Sequence, residues 1–202
     1  MKAEDQSKFW EDIYIAEDTG WDLSGPTPVF HHLSSKLNIG DLCIIGCGRG
    51  YDAIMFAKKG FSVTAVDFAP SAIHALKKMA SESKVKVNTL EIDMFSLMPK
   101  YQHSFDYVIE QTCFCAIHPS RREEYEIMVR GILKQNGKLV GLWFPLDKII
   151  DEGGPPYGTN VDEVKSIFNN GWEILTEEFS KHSIKPRKNR EKLIIFQKNS
   201  TR

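Results

Sequence analysis

The chain has no surplus of charge of either sign. Its 26 Lys and Arg stand against 27 Asp and Glu, a formal net charge of −1. A broad basic field able to hold a polyanion is therefore missing, and nucleic acid is not expected as a partner. Long apolar runs are missing too: none approaches the roughly 20 residues of a membrane span, so no membrane association is expected. The amino end, Met1-Lys2-Ala3-Glu4-Asp5-Gln6, is polar and acidic and does not read as a secretory signal. Cysteine is scarce, with four residues and no metal-ligand spacing: Cys43 and Cys47 lie either side of Gly46, and Cys113 and Cys115 lie two apart. Buried, reduced thiols fit better than zinc or disulfides, which leaves no metal site and points to a reducing cytoplasm. Repeats, low-complexity tracts and linkers are absent, and 202 residues suit one domain, 1–202.

What is present is organised around Leu42-Cys43-Ile44-Ile45-Gly46-Cys47-Gly48-Arg49-Gly50-Tyr51-Asp52. A strand-like apolar run stops at a glycine, two more glycines follow at every second position, and a helical pattern opens with Ala53, Ile54, Phe56 and Ala57. This is the strand–turn–helix of a nucleotide-binding α/β sheet. The glycines let the chain turn sharply and approach a ligand without a Cβ in the way. About twenty residues on, the next strand (Phe61, Val63, Ala65, Val66) ends in Asp67, where an acid can accept the hydroxyls of a ribose. Tyr51 occupies the place where a dinucleotide fingerprint has its last glycine. A pyrophosphate has less room there than a carboxylate and amine, which points to S-adenosylmethionine rather than NAD.

Upstream, residues 4–16 read as an amphipathic helix with Phe9, Trp10, Ile13 and Tyr14 on one face. A Gly/Pro-rich loop carrying Trp21 follows, and then a helix opened by Pro26 or Pro28. These first 38 residues are either a cover for a sheet edge or a helical lid whose Trp10, Tyr14 and Trp21 wall a pocket. Downstream, the pattern gives a helix over 70–82 and strands over 85–92 and 105–109, the second ending at Glu110-Gln111. Thr112-Cys113-Phe114-Cys115-Ala116-Ile117-His118-Pro119 then follows a strand's carboxyl end, where open α/β sheets hold ligands. A helix over 119–134 leads to a turn at Asn136-Gly137-Lys138 and a strand over 139–144. The stretch 151–158, with three glycines and two prolines, excludes regular structure. A helix over 161–168 and strand-like runs 172–179 and 193–197 close the chain, the basic segment 185–190 reading as a solvated hairpin tip. Strand and helix alternate, so the sheet is largely parallel.

Several of these segments together resemble the thiopurine methyltransferase superfamily, and its halide/thiol branch above all. The likeness runs from Phe9-Trp10 to Lys192. It is carried by Gly20-Trp21-Asp22, the glycine turn, Asp67, Asp93-Met94-Phe95, Phe114-Cys115-Ala116-Ile117-His118-Pro119 with Arg122, Gly153-Gly154-Pro155-Pro156-Tyr157, and Arg187-Lys188 before Glu191-Lys192. The resemblance implies a Rossmann-like class I methyltransferase fold: a mostly parallel seven-stranded sheet, helices on both faces and a C-terminal antiparallel hairpin. It implies S-adenosyl-L-methionine as methyl donor, held by Gly46, Gly48, Gly50, Asp67, Phe68, Asp93, Met94, Glu110 and Gln111, with Trp10, Tyr14 and Trp21 closing over it. A monomer acting on a small-molecule acceptor is expected.

On the acceptor side the candidates are Tyr157, Phe114, Trp21 and Arg122. Thiopurine-type enzymes place an arginine where this chain has Gln111. Its absence favours a small soft nucleophile (thiol, hydrosulfide, thiocyanate or halide) over an aromatic thiol. A nicotinamide-dependent reductase and a non-catalytic S-adenosylmethionine-binding module are the alternatives. His118 beside Pro119 reads as a helix cap more readily than as a base, and Arg122 as a residue that fixes a loop or helix.

Overall fold

A computed structural model describes residues 2–199. Seven strands form one mixed sheet in the order β3-β2-β1-β4-β5-β7-β6. The chain divides into two compact units, one ending at Ser96 and one beginning at Leu97.

In the first unit β1 (Asp41–Ile45), β2 (Ser62–Asp67) and β3 (Asn88–Glu91) run parallel, with Ile45 beside Val66 and Asp67 beside Glu91. Leu42 to Ile45 are all buried, as expected for a parallel strand covered on both faces. The first helix, α1 (Ser7–Ile15), is followed by α2 (Pro28–Leu33), and α3 (Tyr51–Lys58) opens directly after the glycine turn. Pro70 starts α4 (Pro70–Glu82), whose Ala72, Ile73, Leu76 and Ala80 face inward at helical spacing. The third strand is shorter than the pattern over 85–92 suggests, because only Asn88–Glu91 find partners on β2.

The second unit holds β4 (Phe105–Gln111), α5 (Arg122–Ile132), β5 (Leu133–Trp143), α6 (Val161–Ile167), β6 (Trp172–Glu178) and β7 (Lys192–Lys198). β5 runs parallel to β4 and antiparallel to β7, and β7 runs antiparallel to β6, so the chain closes in the expected hairpin. An aromatic core fills this unit: Phe168 stacks on Phe196 at 5.1 Å, with Trp143 5.5 Å and Trp172 5.4 Å away.

Two local expectations are corrected. Asn136-Gly137 lies inside β5 instead of before it. Pairing steps from Phe105–Leu133 to Tyr107–Lys138, so residues 134–137 bulge out. Asn136 takes the left-handed conformation (φ 61°), which Asn tolerates better than most residues. A Cβ on Gly137 would lie 2.9 Å from the Lys134 carbonyl oxygen. The basic segment 185–190 is not wholly solvated either. Arg187 is only 6% exposed, lies over the Phe144 ring at 5.3 Å and pairs with buried Glu191 at 3.9 Å. A planar guanidinium stacks on an aromatic face in a way a lysine cannot.

Candidate active site

The glycine turn is built by backbone geometry. Gly46, Gly48 and Gly50 have φ of 58°, 54° and 83°, a region L side chains rarely enter. Their surroundings differ. A Cβ on Gly50 would sit 2.2 Å from Leu76 Cδ1, so that glycine serves packing against α4. Gly46 is exposed, and a Cβ on Gly48 would meet only the Tyr14 hydroxyl, at 3.1 Å. The first two glycines therefore form an open backbone cradle beside the N-terminus of α3, where negative groups are favoured.

Asp67 closes this cradle from β2. Its Oδ2 accepts the Gly48 amide at 2.9 Å and its Oδ1 the Ala69 amide at 3.0 Å. Burial pushes its carboxyl above the usual carboxylate range, and these amides act in the opposite direction. The residue is buried, and the Phe68 amide is a third donor that favours the ionised form. Phe68 is half-buried, and its carbonyl oxygen accepts from the Ser7 hydroxyl. Asp93 turns inward on its own loop, Oδ1 accepting the Phe95 amide at 3.0 Å, with Met94 buried beside it.

The three aromatics expected in a lid do meet. Trp21 lies edge-on to Trp10 at 5.6 Å and to Tyr14 at 5.8 Å, and the group packs on Ala69 and Ala72. Burial pushes the Tyr14 phenol well above its ordinary value, with the charge of Asp67 adding, so it stays a neutral hydroxyl. Polar contacts pin this segment. Asp22 pairs with Arg49 of the glycine turn at 2.9 Å. Asp52 of α3 accepts both the amide and the hydroxyl of Thr27, each at 2.8 Å. Glu11 of α1 accepts the Ser71 amide at 2.8 Å and its hydroxyl at 2.6 Å, capping α4.

In the second unit the loop after β4 is held by Glu110. This side chain is 1% exposed, and its Oε1 accepts the amides of Cys113 (3.2 Å) and Phe114 (3.0 Å) while Oε2 accepts the Tyr125 hydroxyl (2.7 Å). Burial still pushes its carboxyl up to about 7. Gln111 ends β4 half-buried, and Thr112 turns the chain through a left-handed conformation (φ 58°). The Phe114 ring is nested against Tyr125 at 5.4 Å and Trp143 at 5.0 Å, with the Arg122 guanidinium 4.4 Å above it. Arg122, 1% exposed, gives Nη1 to both oxygens of Glu163 at 2.9 Å and Nη2 to the Gly158 carbonyl at 2.8 Å. Tyr157 is buried, its amide donates to the Cys115 carbonyl at 2.7 Å, and its ring meets His118 at 5.3 Å. His118 caps the turn after Pro119, its Nδ1 accepting the Ser120 amide at 3.3 Å. The Gly-Gly-Pro-Pro-Tyr segment thus docks on the Phe-Cys-Ala-Ile segment. The Cys115 thiol is pushed up to about 12 by burial and the charge of Glu110, so it stays protonated near neutrality. Among the described residues no cluster of His, Cys, Asp or Glu could hold a metal ion, and no helix is long and apolar enough to cross a membrane.

The family model for thiopurine S-methyltransferase (TPMT) matches residues 5–201. The chain belongs to this family. It is an S-adenosylmethionine-dependent methyltransferase. Among its relatives, “Probable thiol methyltransferase 2” of Arabidopsis thaliana is 34% identical over 206 aligned positions, covering all of this chain and 89% of the relative. Thiocyanate methyltransferase 1 of the same plant is 31% identical over 189 positions, covering 91% and 82%. In fold it is similar to a 1,6-didemethyltoxoflavin-N1-methyltransferase of Burkholderia thailandensis solved with S-adenosylhomocysteine: TM-score 0.73, 18% identity, 96% of this chain and 87% of the other covered.

Ser7, Glu11, Thr27, Tyr125 and Glu163 also hold these segments in place, and sequence reasoning misses them. Glu11 and Ser71 are 60 positions apart and Arg122 and Glu163 are 41 apart, so no local spacing announces either contact. Tyr125 offers a signal only in hindsight, as a polar tip on the buried face of α5.

Proposed function

We propose that this methyltransferase acts on a small, soft nucleophile: a thiol, hydrosulfide, thiocyanate or halide. The observation that carries the reading is the state of the cations around Phe114. Gln111, where the thiopurine-type enzymes have an arginine, is neutral, and both terminal nitrogens of Arg122 are committed to Glu163 and Gly158. Neither offers a free terminal nitrogen of a guanidinium to grip an aromatic heterocycle. The thiol and thiocyanate relatives support the same reading.

The open cradle at Gly46 and Gly48 and the carboxylate of Asp67 fit the methionine and ribose parts of the donor, with Phe68, Asp93 and Met94 bordering its base. Gly50 contributes by letting α4 approach the turn. Trp10, Tyr14 and Trp21 cover the ligand, a lid role for residues 1–38 within one domain. From the family resemblance Gln111 is assigned to the sulfonium end, and Phe114, Tyr157 and Trp21 to the acceptor. When bound, the donor supplies a methyl group made electrophilic by its sulfonium. The nucleophile's lone pair forms the new bond to that carbon as the sulfur–methyl bond breaks, and the bonding pair returns to sulfur. The residues need only align and dehydrate. Holding two reactants in near-attack geometry is worth about 7–11 kcal/mol, and aromatic walls strip water from the anion. No residue has to take a proton from an ionised nucleophile. Arg122 is a positioning residue that ties the Tyr157 loop to α6 and roofs the Phe114 ring.

The test is a headspace assay for volatile methylated products with hydrosulfide, thiocyanate and iodide, set against an aromatic thiol. A small anion should lead by kcat/KM. Faster turnover of the aromatic thiol than of every small anion would sink the argument from Gln111.

A further inference from the structure

Glu110 is a carboxylate whose three described bonds all serve the loop after β4 and the ring that supports it. It is buried at the end of β4, and the two amides that it accepts belong to the residues just past the left-handed turn at Thr112. Its third donor, Tyr125, is the ring that supports Phe114 from α5. Hydrogen bonds to an ionised acceptor are about twice as strong as neutral ones. The position of Phe114 is thus coupled to the charge on a single side chain.

We propose that ionised Glu110 is the positioning residue that sets Phe114 for catalysis, and that its protonation slackens the loop and slows methyl transfer. The significance of Phe114 rests on the function proposed above; the coupling itself does not. Burial lifts this carboxyl into the neutral range, so the switch falls where an enzyme operates. The titratable groups that act on it are Tyr125 and Arg122 from α5 and the thiol of Cys115 from the loop. Arg187 also acts on Cys115, and His118 lies farther along the loop with its ring turned to Ser120. Cys115 stays protonated throughout the range, which leaves Glu110 as the acid bonded to this loop whose charge changes.

Thiocyanate is ionised at every pH between 5.5 and 8.5, so an acid limb in its rate profile does not come from the acceptor. At saturating donor, kcat should fall about tenfold from pH 8 to pH 6 for one ionisation midway between. Glu110→Gln should flatten that limb, and His118→Asn should keep it. Tyr125→Phe removes a donor to the ionised form and should move the midpoint upward. In 15N-labelled full-length protein the Cys113 and Phe114 amide resonances should titrate with the same midpoint, a readout that needs no turnover. If thiocyanate is not methylated, that member of the proposed acceptor class drops out, and the amide titration with its Tyr125→Phe shift still decides the coupling. Amides that do not titrate, a midpoint unmoved in Tyr125→Phe, or a limb that survives Glu110→Gln each overturn the proposal. So does a flat wild-type profile alongside titrating amides.

Discussion

Asp67 is asked to do two things with one carboxylate. Its oxygens fasten the Gly48 amide of the glycine turn and the Ala69 amide ahead of α4, and in the proposed function the same group receives a ribose. A hydrogen bond to a charged group is worth roughly 1.5–3 kcal/mol, and a buried donor left without its acceptor costs about 1–3 kcal/mol. Replacing the acid should therefore cost stability and affinity together. In Asp67→Asn the side-chain amide can accept only through its oxygen, so either Gly48 or Ala69 faces an N–H. We expect thermal or urea unfolding to show a loss of about 1–3 kcal/mol. Calorimetry on the folded variant should show S-adenosylhomocysteine bound at least tenfold more weakly. Undiminished stability with weakened binding would mean that the clamp is incidental and the ribose contact the main role.

At the scale of elements, α1 is held to the first unit by side chains whose partners are far away in sequence. Glu11 caps α4 through Ser71, and the Ser7 hydroxyl reaches the Phe68 carbonyl. Losing an N-cap acceptor costs about 1 kcal/mol, and α1, nine residues long, gains little from its own helical cooperativity. Glu11→Ala should leave the fold intact, make residues 1–16 more sensitive to limited proteolysis and raise KM for the donor more than it lowers kcat. Unchanged protease sensitivity would show that Trp10 and Tyr14 dock the helix without it. Such contacts mark what sequence can show. α4 is legible because Pro70 and an apolar stripe lie within thirteen residues, and the glycine turn because strand, turn and helix are contiguous. The cluster of Trp10, Tyr14 and Trp21 is legible as an excess of aromatics over what a sheet needs for packing. The early start of β5 at Leu133 is not, since it depends on Phe105 across the sheet. Nor is the burial of Arg187, because a run of basic residues looks solvated until the Phe144 ring is placed beneath it. Glu110 falls between the two: its place at a strand end can be read, but its bond to Tyr125 cannot.

For the molecule as a whole, the donor should be the ligand that governs stability. With a net charge of −1 there is no strong field to attract phosphates generally, so discrimination between donor and dinucleotide falls to shape at the turn. Tyr51, the first residue of α3, puts a large half-buried ring where a pyrophosphate-binding turn has a small residue. A ligand that binds only the native state adds stability by mass action, about 2.7 kcal/mol at 100 times Kd. For a chain near 200 residues that corresponds to a Tm increase of about 5–10 °C. S-adenosylhomocysteine should produce a shift of this size in a thermal melt, and NADH at the same concentration none. If unfolding proceeds in two steps, the step that moves identifies the segment holding the ligand, since only a unit that loses ligand on unfolding feels the mass action. A comparable shift with NADH would mean that the Tyr51 ring yields to a pyrophosphate, and the steric argument for the turn would be wrong.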